Sequence, residues 1–165
     1  MIRGSRSAGH QAGRLREGLK PGSNFAVHLG GSFTALTARL QPAVSILVVE
    51  DDLSIRRLVR SVLERAGHRV DVASDGLEAV LKLGLADFDV IVLDLMMPNL
   101  DGFSFIETLA ANDPARLGRI IVTSAASPAV IKERLKGRPF DMLPKPFDIH
   151  ELTERVEACA GTARA

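Results

Sequence analysis

The sequence predicts a doubly wound α/β fold: five parallel strands with helices packed on both faces. Three observations carry this expectation. Short apolar or alternating runs recur five times between residues 44 and 143. Segments with apolar residues at helical spacing separate them. Four of the five runs then stop at polar residues with chemical potential, at Glu50-Asp51-Asp52, at Asp94, at Ser124 and at Lys145.

Residues 44–49 form a continuous apolar run, as expected of a central parallel strand buried on both faces. Ile55, Leu58, Val59, Val62 and Leu63 follow at i, i+3, i+4, i+7 and i+8, the spacing of an amphipathic helix that stops near Gly67. Residues 69–73 alternate in polarity, as an edge strand would. Asp75 and Glu78 have the spacing of a capping box that opens a second helix running through Leu83. The third strand is residues 90–93. The third helix covers 103–111, with Phe103, Ile106 and Leu109 on one face. The fourth strand is 120–123. Ser127 is an N-cap with Pro128 at the first helical position, and that helix is expected to end by Gly137. The fifth strand is 140–143. Asp148 to Glu151 start the last helix, whose buried stripe reads Ile149, Leu152, Val156 and Cys159. Right-handed crossovers and the strand order 2-1-3-4-5 make the first and third strands neighbours at the switch point, where ligands bind outside the carboxyl ends. Glu50 and Asp51 then meet Asp94 there, with Ser124 and Lys145 alongside.

Composition is that of an ordinary globular chain, 46% hydrophobic and 25% charged over 165 residues. Its net charge of +1 conceals an asymmetry. Residues 1–43 hold six basic residues and one acid, a net of +5, and seven of the 14 glycines. The remainder holds 15 basic and 19 acidic residues, a net of −4, which disfavours nucleic-acid binding by the folded part. The first 43 residues read as a disordered basic extension with a candidate short helix over 33–40. Three origins fit it: a natural extension, a start codon assigned too far upstream, or an organelle-targeting segment, the glycines arguing against the last. Apolar stretches are too short to span a bilayer. The single cysteine, Cys159, excludes an internal disulfide framework and fits a reducing cytoplasm.

The acidic residues carry the chemistry. Asp has low strand propensity, and burying its charge is costly without a partner. Asp52 reads as the cap of the first helix. Glu50, Asp51 and Asp94 form an all-oxygen cluster suited to Mg²⁺ rather than zinc, with waters and a ligand phosphate oxygen completing the coordination. Lys145 can neutralise a phosphoryl oxygen and Ser124 can donate a hydrogen bond to it. Phosphoryl transfer needs mainly such positioning and neutralisation, and Asp94 can itself be the nucleophile.

Four motifs, ILVVEDD (46–52), VIVLDLMMPNLDG (90–102), IIVTSA (120–125) and LPKPF (143–147), occur in order at suitable spacing. Through them residues 44–161 resemble a response-regulator receiver domain of two-component signalling, a flavodoxin-like fold. The resemblance implies that Asp94 is the phosphoacceptor. It implies that Asp51 touches Mg²⁺ directly, that Glu50 does so through water, and that the Met96 main-chain carbonyl is a further metal ligand. Ser124 matches the switch hydroxyl, since an alanine follows it, and Thr123 is the alternative. Lys145 matches the family lysine, and Lys145-Pro146 should be cis. Phosphodonors would be a histidine kinase or a histidine phosphotransfer protein in a phosphorelay. Output would pass through the surface of the fourth helix, fifth strand and fifth helix, or by onward phosphotransfer, in a stand-alone receiver with no DNA-binding domain and no membrane association.

Two departures qualify the match. Met142 stands where the family usually has Tyr or Phe, which puts the aromatic switch in doubt. Met96 and Ala126, two residues past Asp94 and Ser124, cannot orient a hydrolytic water, so dephosphorylation should be slow. A dehalogenase-like phosphatase would need a second Asp where Met96 stands. The remaining alternatives are a pseudo-receiver that is never phosphorylated and a receiver fragment of a hybrid kinase.

Overall fold

The computed structural model describes residues 43–163, apart from 137 and 139. The basic extension and its candidate helix over 33–40 lie outside them, whereas the fourth helix ends at Arg134, within the expected limit. Five parallel strands, β1 (Ser45–Val49), β2 (Arg69–Ala73), β3 (Val90–Asp94), β4 (Ile120–Ser124) and β5 (Asp141–Pro144), form one sheet in the order β2-β1-β3-β4-β5. They alternate with α1 (Leu53–Arg65), α2 (Gly76–Leu85), α3 (Gly102–Asn112), α4 (Pro128–Arg134) and α5 (Ile149–Ala163). The doubly wound expectation and its strand order are met.

Strand alternation divides the core into two layers. Ile46, Val48, Val90, Val92 and Ile121 pack with Val59 and Leu63 of α1 and with Leu152, Val156 and Ala160 of α5. Leu47, Val49, Ile91, Leu93 and Val122 face the other way, onto α2, α3 and α4. Both faces are covered, so β1, β3 and β4 read as largely apolar runs with polar residues at their ends. Each such side chain contributes about 1.5–3 kcal/mol on burial.

Helix starts follow local hydrogen bonding. Asp52, Asp75, Asp101 and Ser127 each cap a helix with a side-chain oxygen that accepts main-chain N–H groups. The capping box at Asp75 is displaced by one residue. Glu78 reaches back to the amide and hydroxyl of Ser74, both at 2.8 Å, rather than to the amide of Asp75.

Several expectations are corrected. Leu58, placed on the buried stripe of α1, is 54% exposed, because α1 meets the sheet mainly through Val59 and Leu63. The buried stripe of α5 continues to Ala160, and Cys159 packs only half-buried against the same layer, near the Gly118 carbonyl. β5 starts at Asp141, one residue late. A 3-10 turn over Pro114–Arg119, unforeseen from periodicity, links α3 to β4. No described helix is long and apolar enough to cross a membrane.

Candidate functional site

The site lies at the carboxyl end of the sheet. β1 and β3 are neighbours with Val49 opposite Leu93, so the next residues, Glu50 and Asp94, emerge side by side. Carboxylate oxygens of Glu50, Asp51 and Asp94 lie within 4.8 Å of one another. Glu50 and Asp94 are buried, each only 4% exposed, whereas Asp51 is exposed. Asp52 faces away, accepting the amides of Ser54 at 2.8 Å and Ile55 at 2.9 Å. The acidic run thus divides between a cluster and a cap, as the sequence indicated.

Lys145 completes the cluster from the far edge. It follows β5, and its side chain crosses the end of β4. Nζ donates to Asp94 Oδ2 at 2.5 Å and to Glu50 Oε2 at 2.7 Å. Two buried carboxylates beside one another require such a cation. Burial pushes the Glu50 carboxyl up, and the opposing pull of Lys145 does not cancel the rise. Burial also works against the charge on Lys145, but hydrogen bonds to Asp94 and Glu50 outweigh it and hold its pKa above the usual value. Three carboxylates face one ammonium. That deficit and the all-oxygen donor set fit a hard divalent cation.

The backbone frames these side chains. The Met96 amide donates to Asp94 Oδ1 at 3.0 Å, and Lys145 N donates to the Ser124 carbonyl at 2.9 Å. The Lys145-Pro146 bond is cis, as expected. Gly102, at the first position of α3, is pressed against the strand end. A Cβ there would lie 2.7 Å from Leu95 Cα and collide with the Asp94 carbonyl. Asn99 takes the left-handed conformation, φ +62°, which Asn tolerates, and its amide donates to Asp75 at 2.9 Å.

Thr123 and Ser124 are both buried at the end of β4. Thr123 pairs with Asp94 and so shares its face of the sheet. Ser124 accepts the Ala126 amide at 3.1 Å and opens onto a shallow cavity lined by Val122, Pro128, Ile131 and Met142. The structure therefore brings together Glu50, Asp51, Asp94 and Lys145. Arg56 and Gly102 contact the same loops and were not singled out from the sequence. Glycine at the first position of a helix that follows the acidic strand end was a usable signal for Gly102. Arg56 left none, because its side chain folds back out of its own helix.

Comparison with known proteins points the same way. The response regulator receiver domain family matches residues 46–157. The transcriptional regulatory protein ResD of Bacillus subtilis is 36% identical over 113 residues, covering 68% of this chain and 46% of ResD. The chain spans about half the length of the curated relatives it matches. The receiver domain of the Francisella response regulator 1452 superposes with a TM-score of 0.66 at 36% identity, covering 72% of this chain and 98% of that domain. The receiver domain of the sensor histidine kinase PA1611 from Pseudomonas aeruginosa, with magnesium coordinated in its active-site cleft, gives a TM-score of 0.65 at 28% identity. It covers 72% of this chain and 98% of that one. From the sheet order, the acidic strand ends and the family match, the chain belongs to the response regulator receiver domains of two-component systems.

Proposed function

We propose that this receiver accepts a phosphoryl group on Asp94 from a histidine kinase or a histidine phosphotransfer protein, and passes the signal on by docking or onward transfer. The observation that carries the reading is the grip of Lys145 on two buried carboxylates from separate strands, Asp94 and Glu50. Folding alone gives little reason to gather those charges, because well-packed apolar residues would serve stability as well or better.

In the transfer, an Asp94 oxygen bonds to phosphorus as the donor's phosphorus–nitrogen bond breaks, and the histidine leaves with that electron pair. Lys145, already at Asp94, neutralises charge on the phosphoryl oxygens. The Ser124 oxygen accepts the Ala126 amide, leaving its hydrogen available to donate. Glu50, Asp51, Asp94 and the Met96 carbonyl would hold Mg²⁺, which when bound supplies further neutralisation of the transferring group. The balance fits a signalling module rather than a turnover enzyme. Met96 and Ala126 offer no group to orient water, which favours a long-lived phosphoryl state.

Intact mass after incubation with acetyl phosphate and Mg²⁺ tests the reading. One added phosphoryl group is expected in the wild type and none in Asp94→Ala. An unmodified wild type would leave an interaction module that is never phosphorylated.

A further inference from the structure

Arg56 is placed where a helix does not favour a cation. It lies at the start of α1, next to the positive end of the helix dipole, and no acid occupies the first turn. Its side chain nevertheless folds back over the strand end. Nη1 donates to the Glu50 carbonyl at 2.6 Å and to the Asp51 carbonyl at 3.0 Å. The Arg56 amide in turn donates to the Asp52 carbonyl at 2.9 Å. The carbonyls of residues 50 and 51 are therefore both held by one guanidinium, while the Asp52 bond is the ordinary first turn of α1. A local conflict of this kind, compensated by bonds to functional backbone, marks a site with a role beyond folding.

We propose that Arg56 is a positioning residue for the cation site, holding the peptide between Glu50 and Asp51 so that the exposed Asp51 carboxylate stays aimed at Glu50 and Asp94. The inference rests on assigning Mg²⁺ to those three carboxylates. Its strength is that clamp and charge have opposite signs. As a charge alone, Arg56 repels Mg²⁺, and neutralising it would tighten binding. As a clamp, its loss frees Asp51 and weakens binding. Groups that orient metal ligands without touching the metal typically control affinity by roughly 10–100-fold.

Arg57 supplies the control, since it is exposed on the same helix and carries the same charge. Magnesium chloride titrated calorimetrically into wild type, Arg56→Met and Arg57→Met separates the two effects. Arg56→Met is expected to bind roughly tenfold more weakly, with Arg57→Met at or slightly tighter than wild type. Amide exchange at Asp51 and Asp52 should also accelerate in metal-free Arg56→Met and stay unchanged in Arg57→Met. Equal tightening in both variants, or wild-type affinity and exchange in Arg56→Met, overturns the clamp while leaving the cation site standing. A wild type without measurable Mg²⁺ binding removes the site and the clamp together.

Discussion

Asp51 and Asp52 are adjacent in the chain and opposite in use. Asp52 belongs with Asp75 and Asp101, carboxylates that accept amides two or three residues ahead and so start their own helices. Asp51 belongs with Glu50 and Asp94, whose relation is made by sheet topology. Lys145 is 95 residues from Glu50 and 51 from Asp94. The difference teaches how to read an acid at the end of an apolar run. A carboxylate satisfied within its own turn is accounted for by folding. One whose counter-charge comes from across the sheet, beside other acids, needs a chemical reason to be there.

The sharpest way to break that division is to exchange the neighbours' fates. Asp51→Ala should lose Mg²⁺ affinity by more than the roughly 10–100-fold controlled by groups that merely orient ligands, and phosphorylation with it, while the melting temperature holds. Asp52→Ala should keep both activities and melt earlier, since only a cap is lost. Calorimetric titration and thermal melts report the two halves. A severe chemical defect in Asp52→Ala with a mild one in Asp51→Ala would show that the acidic register is shifted by one.

A smaller effect is expected at the other side of the site. Met142 stands opposite Val122 in the β4–β5 register and shares the shallow cavity with Ser124. A flexible thioether discriminates poorly between two positions of the β4 loop, and a ligand shifts populations only by differential interaction. Met142→Tyr should therefore enlarge the amide-exchange change that phosphorylation produces across α4, β5 and α5. Equal responses in both proteins would remove Met142 from the switching account.

The smallest effect is acidic unfolding, which belongs to the capping group. The Glu78 amide and Asn99 hold Asp75 below the usual carboxylate range, and the Ser74 amide does the same for Glu78. Burial opposes the shift at Asp101, but the Ser104 amide and Arg134 still lower it. Folded values below unfolded ones mean stability fully present above about pH 4–5 and lost as pH falls through the lower folded values. Asp75→Asn keeps a capping oxygen without that titration. Its denaturation midpoint should fall less steeply than the wild type's between pH 5 and about 3, and a parallel fall would detach the acid response from the caps.

The fold was largely legible because periodicity and parallel topology leave few alternatives. The misses in helix burial share a cause. Leu58 and Cys159 lie at the margins of stripes, where a small rotation of a helix decides burial, and the sequence sets spacing rather than rotation. Glu50, Asp94 and Lys145 were legible as acids and a lysine at run ends. The two-way grip of Lys145 and the backward reach of Arg56 were not, since both depend on long side chains crossing neighbouring elements. Thr123 and Ser124 stayed paired alternatives in the sequence. In the fold they separate, one beside Asp94 and the other on the cavity with Met142.

Borohydride trapping tests the central claim most directly. Reduction of an aspartyl phosphate leaves homoserine, which peptide sequencing can locate after treatment with acetyl phosphate and Mg²⁺. The account expects homoserine at position 94 and at neither Asp51 nor Asp52. Homoserine at either of those positions, or none anywhere in a protein that binds Mg²⁺, would contradict it.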